Sequence, residues 1–311
     1  MDTLLVIVIY IVAAAGTLAL GLLSRWYDRK LTAMVQYRKG PPVYQPIADV
    51  LKLFYKETLL PATARATGFL LAPAVSLAAV GLAASILWAA MIARDGSFVG
   101  DLIVVVYLLI IPPLATILGA SASGNPHASV GASREMKLIL SYELPLFLAL
   151  MVGVVHADWT LRLGAMAASG AAVYSISGVL AMIVAILAVQ AKLGQVPFDA
   201  AEAECEIMSG VYVEYSGPPL ALIYLSRAML LATMPLLLIT VLWGGLQGGW
   251  GVLAFAGKYI LLITLATLIR NTNPRLRIDQ TVKFFWYGLT PIAVLAVVLA
   301  VLGSSWKISW L

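Results

Sequence analysis

Long apolar stretches alternate with polar connections along this chain. Eight stretches, 3–23, 69–92, 102–120, 138–156, 171–190, 218–243, 252–269 and 286–303, are nearly free of charge. A hydrocarbon core about 30 Å thick needs roughly 20 apolar residues per helix. Only a helix closes its own backbone hydrogen bonds in lipid over such a run, and the stretches are too long and too evenly apolar for barrel strands. The pattern predicts an all-α polytopic membrane protein with about eight transmembrane helices, a single integral membrane domain over 1–311. One connection adds an element. Within 43–57, Ile47, Val50, Leu51 and Phe54 recur at i, i+3, i+4, i+7, with Asp49, Lys52 and Lys56 on the other side. Pro46 suits a first helical turn. The segment is too short and too charged to span. It is expected as an amphipathic cytoplasmic helix that lies flat at the interface or packs under the bundle.

Composition agrees. The 311 residues are 62% hydrophobic and 11% charged, with a mean hydropathy of +0.96. An average soluble domain is about half apolar and about a quarter charged, so a soluble enzyme, a disordered chain and a nucleic-acid binder are excluded. The net charge of +5 reports topology instead. Connections after the first, third, fifth and seventh stretches hold fifteen Lys/Arg; those after the second, fourth and sixth hold two, Arg94 and Arg162. The positive-inside rule puts the first set in the cytoplasm and both termini on the outer side of the cell membrane. Asp2 before the first stretch, and Arg25, Arg29 and Lys30 after it, are the wrong order for a cleavable signal peptide. A single cysteine, Cys205, excludes an internal disulfide, and two histidines, His127 and His156, argue against a metal or haem site. No redox cofactor is expected on the chain itself. The sequence shows no internal repeat or inverted halves, which argues against a carrier.

Candidate chemistry lies in acids placed where acids are costly. Glu143 sits in the fourth stretch, followed by Pro145 and preceded by Arg134, Glu135 and Lys137. It either snorkels to the interface or carries a proton in the bundle. Asp199, Glu202, Glu204, Glu206 and Glu214 are five acids in sixteen residues, and Lys192 is the one cation of that connection. A helix over 199–208 would put Asp199, Glu202 and Glu206 on one face. Such a face is either a solvated acidic helix or, if buried, a set of carboxylates whose mutual repulsion raises their pKa values toward relay range. The flanking Val196, Phe198, Ile207, Met208 and Val211 are apolar and favour burial. Arg227 and Lys258 are intramembrane cations; Arg227 is a partner for one of these acids, or either cation snorkels. Arg38-Lys39-Gly40-Pro41-Pro42 is a basic turn ahead of the amphipathic segment, either a solvated loop or a docking surface.

GPPVYQPIADVLKLFYKE (40–57), GASREMKLILSYELPL (131–146) and KLGQVPFDAAEAECEIMSGVYVEYSG (192–217) resemble subunit 1, also called the H subunit, of NADH-quinone oxidoreductase, the membrane subunit that holds the hydrophilic arm of respiratory complex I. Relatives of that subunit occur in formate hydrogenlyase and in energy-converting membrane-bound nickel–iron hydrogenases. Gly40-Pro41-Pro42, Gly131-Ala132-Ser133-Arg134-Glu135, Ala191 to Gln195 before Pro-Phe-Asp, and Glu202 to Glu206 after it look like the hydrogenase branch rather than the quinone-binding one. The resemblance implies a membrane anchor and ion-coupling subunit of a membrane-bound hydrogenase, linking electron transfer to proton or ion translocation without redox catalysis of its own. It implies proton- or ion-coupling roles for Glu143, Asp199, Glu202, Glu204, Glu206, Glu214, Arg134 and Glu135. Arg38, Lys39, Asp49, Lys52 and Lys56 would dock a soluble arm. Implied partners are hydrogenase large and small subunits and iron–sulfur subunits on the cytoplasmic side, carrying the nickel–iron centre and iron–sulfur clusters, and antiporter-like subunits in the bilayer. The alternatives are the quinone-chamber subunit of NADH-quinone oxidoreductase, a ferredoxin-linked membrane oxidoreductase and, from a different class, a stand-alone secondary transporter.

Overall fold

Residues 3–92, 97–246, 250–306 and 310 are described by the computed structural model; Asp2 and Arg94, used above for topology, lie outside them. The regular elements among the described residues are helices, the α-helices in the order α1 (Thr3–Val35), α2 (Gln45–Phe54), α3 (Ala66–Ile92), α4 (Asp101–Ala122), α5 (Pro126–His156), α6 (Leu163–Ala168), α7 (Ile176–Lys192), α8 (Glu204–Ile207), α9 (Gly217–Leu242), α10 (Gly251–Thr272), α11 (Ile278–Lys283) and α12 (Thr290–Trp306). A π-helical turn, Phe284–Leu289, joins the last two into one rod ahead of Pro291. Six of these rods are long and apolar enough to cross a membrane: α3, α4, α5, α9, α10 and the α11–α12 rod. The 17-residue α7 is a shorter apolar helix. Each of the eight apolar stretches lies largely on a helix, but α1 outruns its expected end at residue 23. Its 33 residues extend over about 50 Å at about 1.5 Å per residue, some 20 Å beyond the hydrocarbon core. The extra turns carry Arg25, Asp28, Arg29 and Lys30.

α9 is the axis of the bundle. It is apolar on every side and buried along nearly its whole length against α1, α3, α5 and α7, as an all-round hydrophobic helix must be. Close approach needs a small residue: a Cβ on Gly21 of α1 would meet the Ala228 carbonyl oxygen of α9 at 2.4 Å. α5, α7 and α12 form a second group packed on one another.

Local chemistry sets the ends. Asn125 caps α5, its side chain accepting from the His127 amide at 2.8 Å, and Pro126 fills the first helical position. Ser175 caps α7 by accepting from the Gly178 amide at 3.0 Å. Lys258 of α10 does not snorkel freely. Its Nζ donates to the carbonyls of Trp243 and Gly244 at 2.8 and 3.1 Å, holding the C-terminal end of α9.

The amphipathic helix is present as α2, shorter than 43–57, and it turns Pro46, Asp49, Val50 and Leu53 to the bundle. Asp49 receives a hydrogen bond from Arg29 of α1 at 2.7 Å, while Ile47, Leu51 and Phe54 are 50%, 52% and 44% exposed. An ion pair and a buried Pro46 dock the helix, which leaves Ile47, Leu51 and Phe54 outward, as an interfacial helix would carry them.

Candidate functional site

The acidic segment after α7 is held against α5 and the π-helical turn by three devices. Gly131 of α5 permits contact, because a Cβ there would meet the Val211 amide nitrogen at 2.8 Å and the Ala201 carbonyl oxygen at 3.1 Å. Arg134, one turn on, donates to the Ala200 carbonyl at 3.3 Å and to Glu206 at 2.5 Å. Phe198, buried, enters a slot formed by Phe284 and Phe285, with ring centroids 5.6 and 4.9 Å away.

A shared helical face over 199–208 is not what forms. The helix there is limited to Glu204–Ile207, because Ala203 has ψ 83° and Met208 and Ser209 take left-handed backbone. Asp199, Glu202 and Glu206 each pair with an arginine from a different element instead of facing one another. Asp199 binds Arg275 at 2.8 Å, Glu202 binds Arg227 of α9, and Glu206 binds Arg134 of α5. Opposite charge from neighbouring helices outweighs the local repeat, since like charges three and seven residues apart repel. Glu214 accepts from Asn125 at 2.5 Å. The side chain of Glu204 lies outside the described residues.

Deeper in the bundle, Lys192 ends α7 with its side chain almost wholly buried and bonds Glu143 Oε1 of α5. Its ammonium lies 5.5 Å from the centroid of the Tyr142 ring. Two buried polar atoms on its neighbours make no hydrogen bond: Glu143 Oε2 and the Tyr142 hydroxyl. Unsatisfied groups at this density mark a place that ordered water fills or a proton visits.

Glu135 faces this place across a cavity of about 50 Å³, lined also by Lys192, Glu202, Tyr212 and Arg227. A water needs roughly 10–15 Å³ of such space, so the cavity has room for a few. Two further cavities, of about 180 and 280 Å³, also touch both Glu202 and Arg227. The Glu202–Arg227 pair therefore lines all three spaces. Arg227 also lies 5.3 Å from the centroid of the Tyr212 ring. Burial pushes the Tyr212 hydroxyl up to about 12, against the opposing pull of Arg227, so it keeps its proton at neutral pH. The ionisable groups thus run Glu202–Arg227, Glu135, Lys192–Glu143.

Of the residues read as docking, Arg38 and Lys39 are exposed, while Asp49, Lys52 and Lys56 line a crevice against α1 and α9. Sequence reasoning missed a second network. Asp28, buried, accepts from Thr267 at 2.9 Å and from Arg270 at 2.7 Å, tying α1 to α10. Its signal was an acid inside a basic run, on the stripe of Gly21 and Ser24. Arg275 and Asn125, which hold Asp199 and Glu214, carried no local signal.

The family model for NADH dehydrogenase matches residues 5–301. The NADH-quinone oxidoreductase H subunit of Dehalococcoides mccartyi is 32% identical over 301 residues, 93% of this chain and 84% of that protein. The corresponding protein of Thermomicrobium roseum is 33% identical over 319 residues, 93% of each chain. Among solved structures, a chain of the membrane-bound sulfane sulfur reductase, an archaeal respiratory membrane complex, aligns with a TM-score of 0.83 at 29% identity, covering 95% of this chain and 99% of that one. With the match running almost end to end, this chain belongs to the NADH dehydrogenase subunit 1/H family, the complex I-like membrane subunits of respiratory complexes.

Proposed function

We propose that this chain, with α1 and α7 counted among eight crossings, couples a soluble redox arm to ion movement in the membrane, as the H subunit of an NADH-quinone oxidoreductase-type complex. The observation that carries the coupling role is the row of ionisable side chains, Glu202–Arg227, Glu135 and Lys192–Glu143, around a water-sized cavity inside an apolar bundle. Ionisable groups are expensive at that depth and are retained there for ion pathways. The exposed Arg38 and Lys39 belong to the basic, cytoplasmic face on which the arm docks. Iron–sulfur centres are assigned to the arm and none to this chain. The name carried by the relatives favours the quinone setting over the hydrogenase anchor suggested by the motif departures. The second reading is a sulfur-reducing respiratory complex, favoured by the structural neighbour.

The test is affinity purification through a tag on this chain, with subunit and metal identification and donor-to-quinone activity in proteoliposomes. Quinone reduction with ion movement supports the proposal. A nickel-containing large subunit returns the hydrogenase reading. Sulfane sulfur reduction without quinone reduction selects the second reading, and a lone chain that transports by itself removes all three.

A further inference from the structure

Tyr215-Ser216-Gly217 leads from the acidic segment into α9 and touches two regions that the proposed coupling has to connect. At one end it grips the connection after α2. Ser216 Oγ accepts from the Leu59 amide at 3.3 Å. Gly217, with φ +60°, lies so close to that connection that a Cβ would meet the Glu57 and Lys56 carbonyl oxygens at 2.6 and 3.0 Å. The left-handed backbone and the close approach both call for glycine. At the other end Tyr215 is buried between α3 and α4. Its ring stacks on Phe69 of α3, with centroids 4.1 Å apart and planes 5° apart, and a Cβ on Gly119 of α4 would run into its hydroxyl. With Ile223 these rings form a small core apart from the main one. The Tyr215 hydroxyl donates to the Phe69 carbonyl at 3.2 Å. α3 itself leaves that carbonyl over, because the amide that would bond it belongs to position 73, which is Pro73. Burial pushes the Tyr215 hydroxyl up, so it stays a donor. Tyr215 also lines the cavity of about 50 Å³ with Tyr212, Glu135, Glu202 and Arg227, and its amide donates to the Tyr212 carbonyl at 3.1 Å.

We propose that Tyr215 is a positioning residue for the coupling site, the pivot that passes a displacement of residues 56–59 to Tyr212 and the Glu202–Arg227 pair. This role rests on the coupling proposed above. Stacking fixes the spacing of the Tyr215 and Phe69 rings but not their offset. The hydroxyl bond sets where along Phe69 the Tyr215 ring stands. With that point held to α3 and α4, a push on Ser216 and Gly217 turns the chain about it and is felt at Tyr212, three residues back. With the hydroxyl gone, the ring slides along Phe69 and the push is absorbed there. The competing account, in which the tyrosine does no more than satisfy a stray carbonyl, predicts a different response when α3 is given its missing amide.

The intact complex is reconstituted in proteoliposomes, and ion movement per electron transferred is measured beside its melting temperature and the hydrogen exchange of 210–217. Tyr215→Phe keeps the stacked ring and removes the bond. It is expected to lower ion movement per electron about fivefold, the factor that one ordinary hydrogen bond commands, with electron transfer retained and exchange quickened. Tyr215→Phe/Pro73→Ala returns an amide to the Phe69 carbonyl from within α3. The melting temperature should then recover while ion movement per electron stays low. Recovery of both would reduce Tyr215 to a partner for a stray carbonyl and overturn the proposal, as would a wild-type ratio in Tyr215→Phe. Should that complex fail to assemble, Ser216→Ala, which frees the Leu59 amide at the far end of the run, carries the test: the same ratio should fall, and a wild-type value overturns the proposal. A wild-type complex that moves no ions removes the coupling reading instead, whereas unchanged exchange in Tyr215→Phe overturns the pivot independently of it.

Discussion

Removing the ammonium from the Lys192–Glu143 pair is the sharpest perturbation the site allows. Lys192→Met keeps most of the stem and deletes the charge. Glu143, whose side chain is 17% exposed against 1% for Lys192, is then a buried carboxylate with no cation bonded to it, and its Oε2 already lacks a partner. Breaking a buried pair from one side costs about 3–5 kcal/mol. The nearby cavity, which has room for water, and the residual exposure of Glu143 put this case near the lower end, roughly 3 kcal/mol. At roughly 2–4 °C per kcal/mol, the apparent melting temperature of the solubilised complex should fall by about 6–12 °C. The paired replacement Lys192→Met/Glu143→Leu leaves no orphan charge and should recover most of that loss. Fluorescence-detected size exclusion after a heating series measures both. Ion movement should remain lost in the paired variant even though stability returns. A single variant that melts with the wild type, or a paired variant showing the sum of two independent losses, would refute the reasoning.

Glu202→Gln should leave assembly intact, because Arg227 keeps the Tyr212 ring and borders cavities with room for water, yet lower coupled ion movement by tenfold or more, about 1.4 kcal/mol. Glu206→Gln, at a half-exposed position, should have a smaller effect; equal pumping by the Glu202 variant and the wild type removes the relay. Charge reversal at the exposed Arg38 and Lys39 should reduce co-purification of the soluble arm, more steeply as salt is raised; unchanged recovery at every salt concentration removes the docking role. Gly131→Val drives a side chain into the backbone at Val211 and Ala201, costing about 1–3 kcal/mol, and should open the acidic segment to protease. Burial raises the Asp49 pKa, but hydrogen bonds from Arg29 and Gln45 outweigh it and hold the group below its ordinary 3.8. A depressed carboxylate stabilises above its unfolded pKa and loses that contribution as pH falls through the folded one. Hydrogen exchange of α2 should therefore quicken below about pH 4, with a surface-pair magnitude of about 0.2–1 kcal/mol. Asp49→Asn should abolish that pH dependence; an identical response in both proteins counts against it.

The elements were legible because their signals are local. A run of some twenty apolar residues needs no partner to be recognised as a helix, and 43–57 declared itself by one repeat of apolar positions. The acids were legible as a cluster because apolar neighbours made their charge conspicuous. Their arrangement was not. Glu143 meets Lys192 across 49 residues and Glu206 meets Arg134 across 72, and no spacing rule reaches that far. The helical face expected over 199–208 failed for the same reason. Three arginines brought in from outside the segment settle where its carboxylates go, and the backbone breaks at Ala203 and Met208.

That arrangement bears on how coupling works under the proposed function. A row of carboxylates facing one another would pass protons by mutual repulsion, with little demand on the helices. Here four of the acids are matched to cations on other elements: Glu143 of α5 to α7, Glu202 to α9, Glu206 to α5, and Asp199 to the connection after α10. Separating such a pair by a few ångströms uncovers a carboxylate and raises its proton affinity. A shift of one helix against its neighbour is then felt as a change of protonation at a named residue. The pair most exposed to this is Glu202–Arg227, which borders three cavities at once. Water can follow either partner as it moves, so the acid that loses its arginine finds a proton donor beside it. Coupling of this kind needs the soluble arm to move only the segment between α7 and α9. That segment is fastened at Gly131, Arg134 and Phe198 rather than built into the bundle as a long helix, which leaves it able to answer a push from outside.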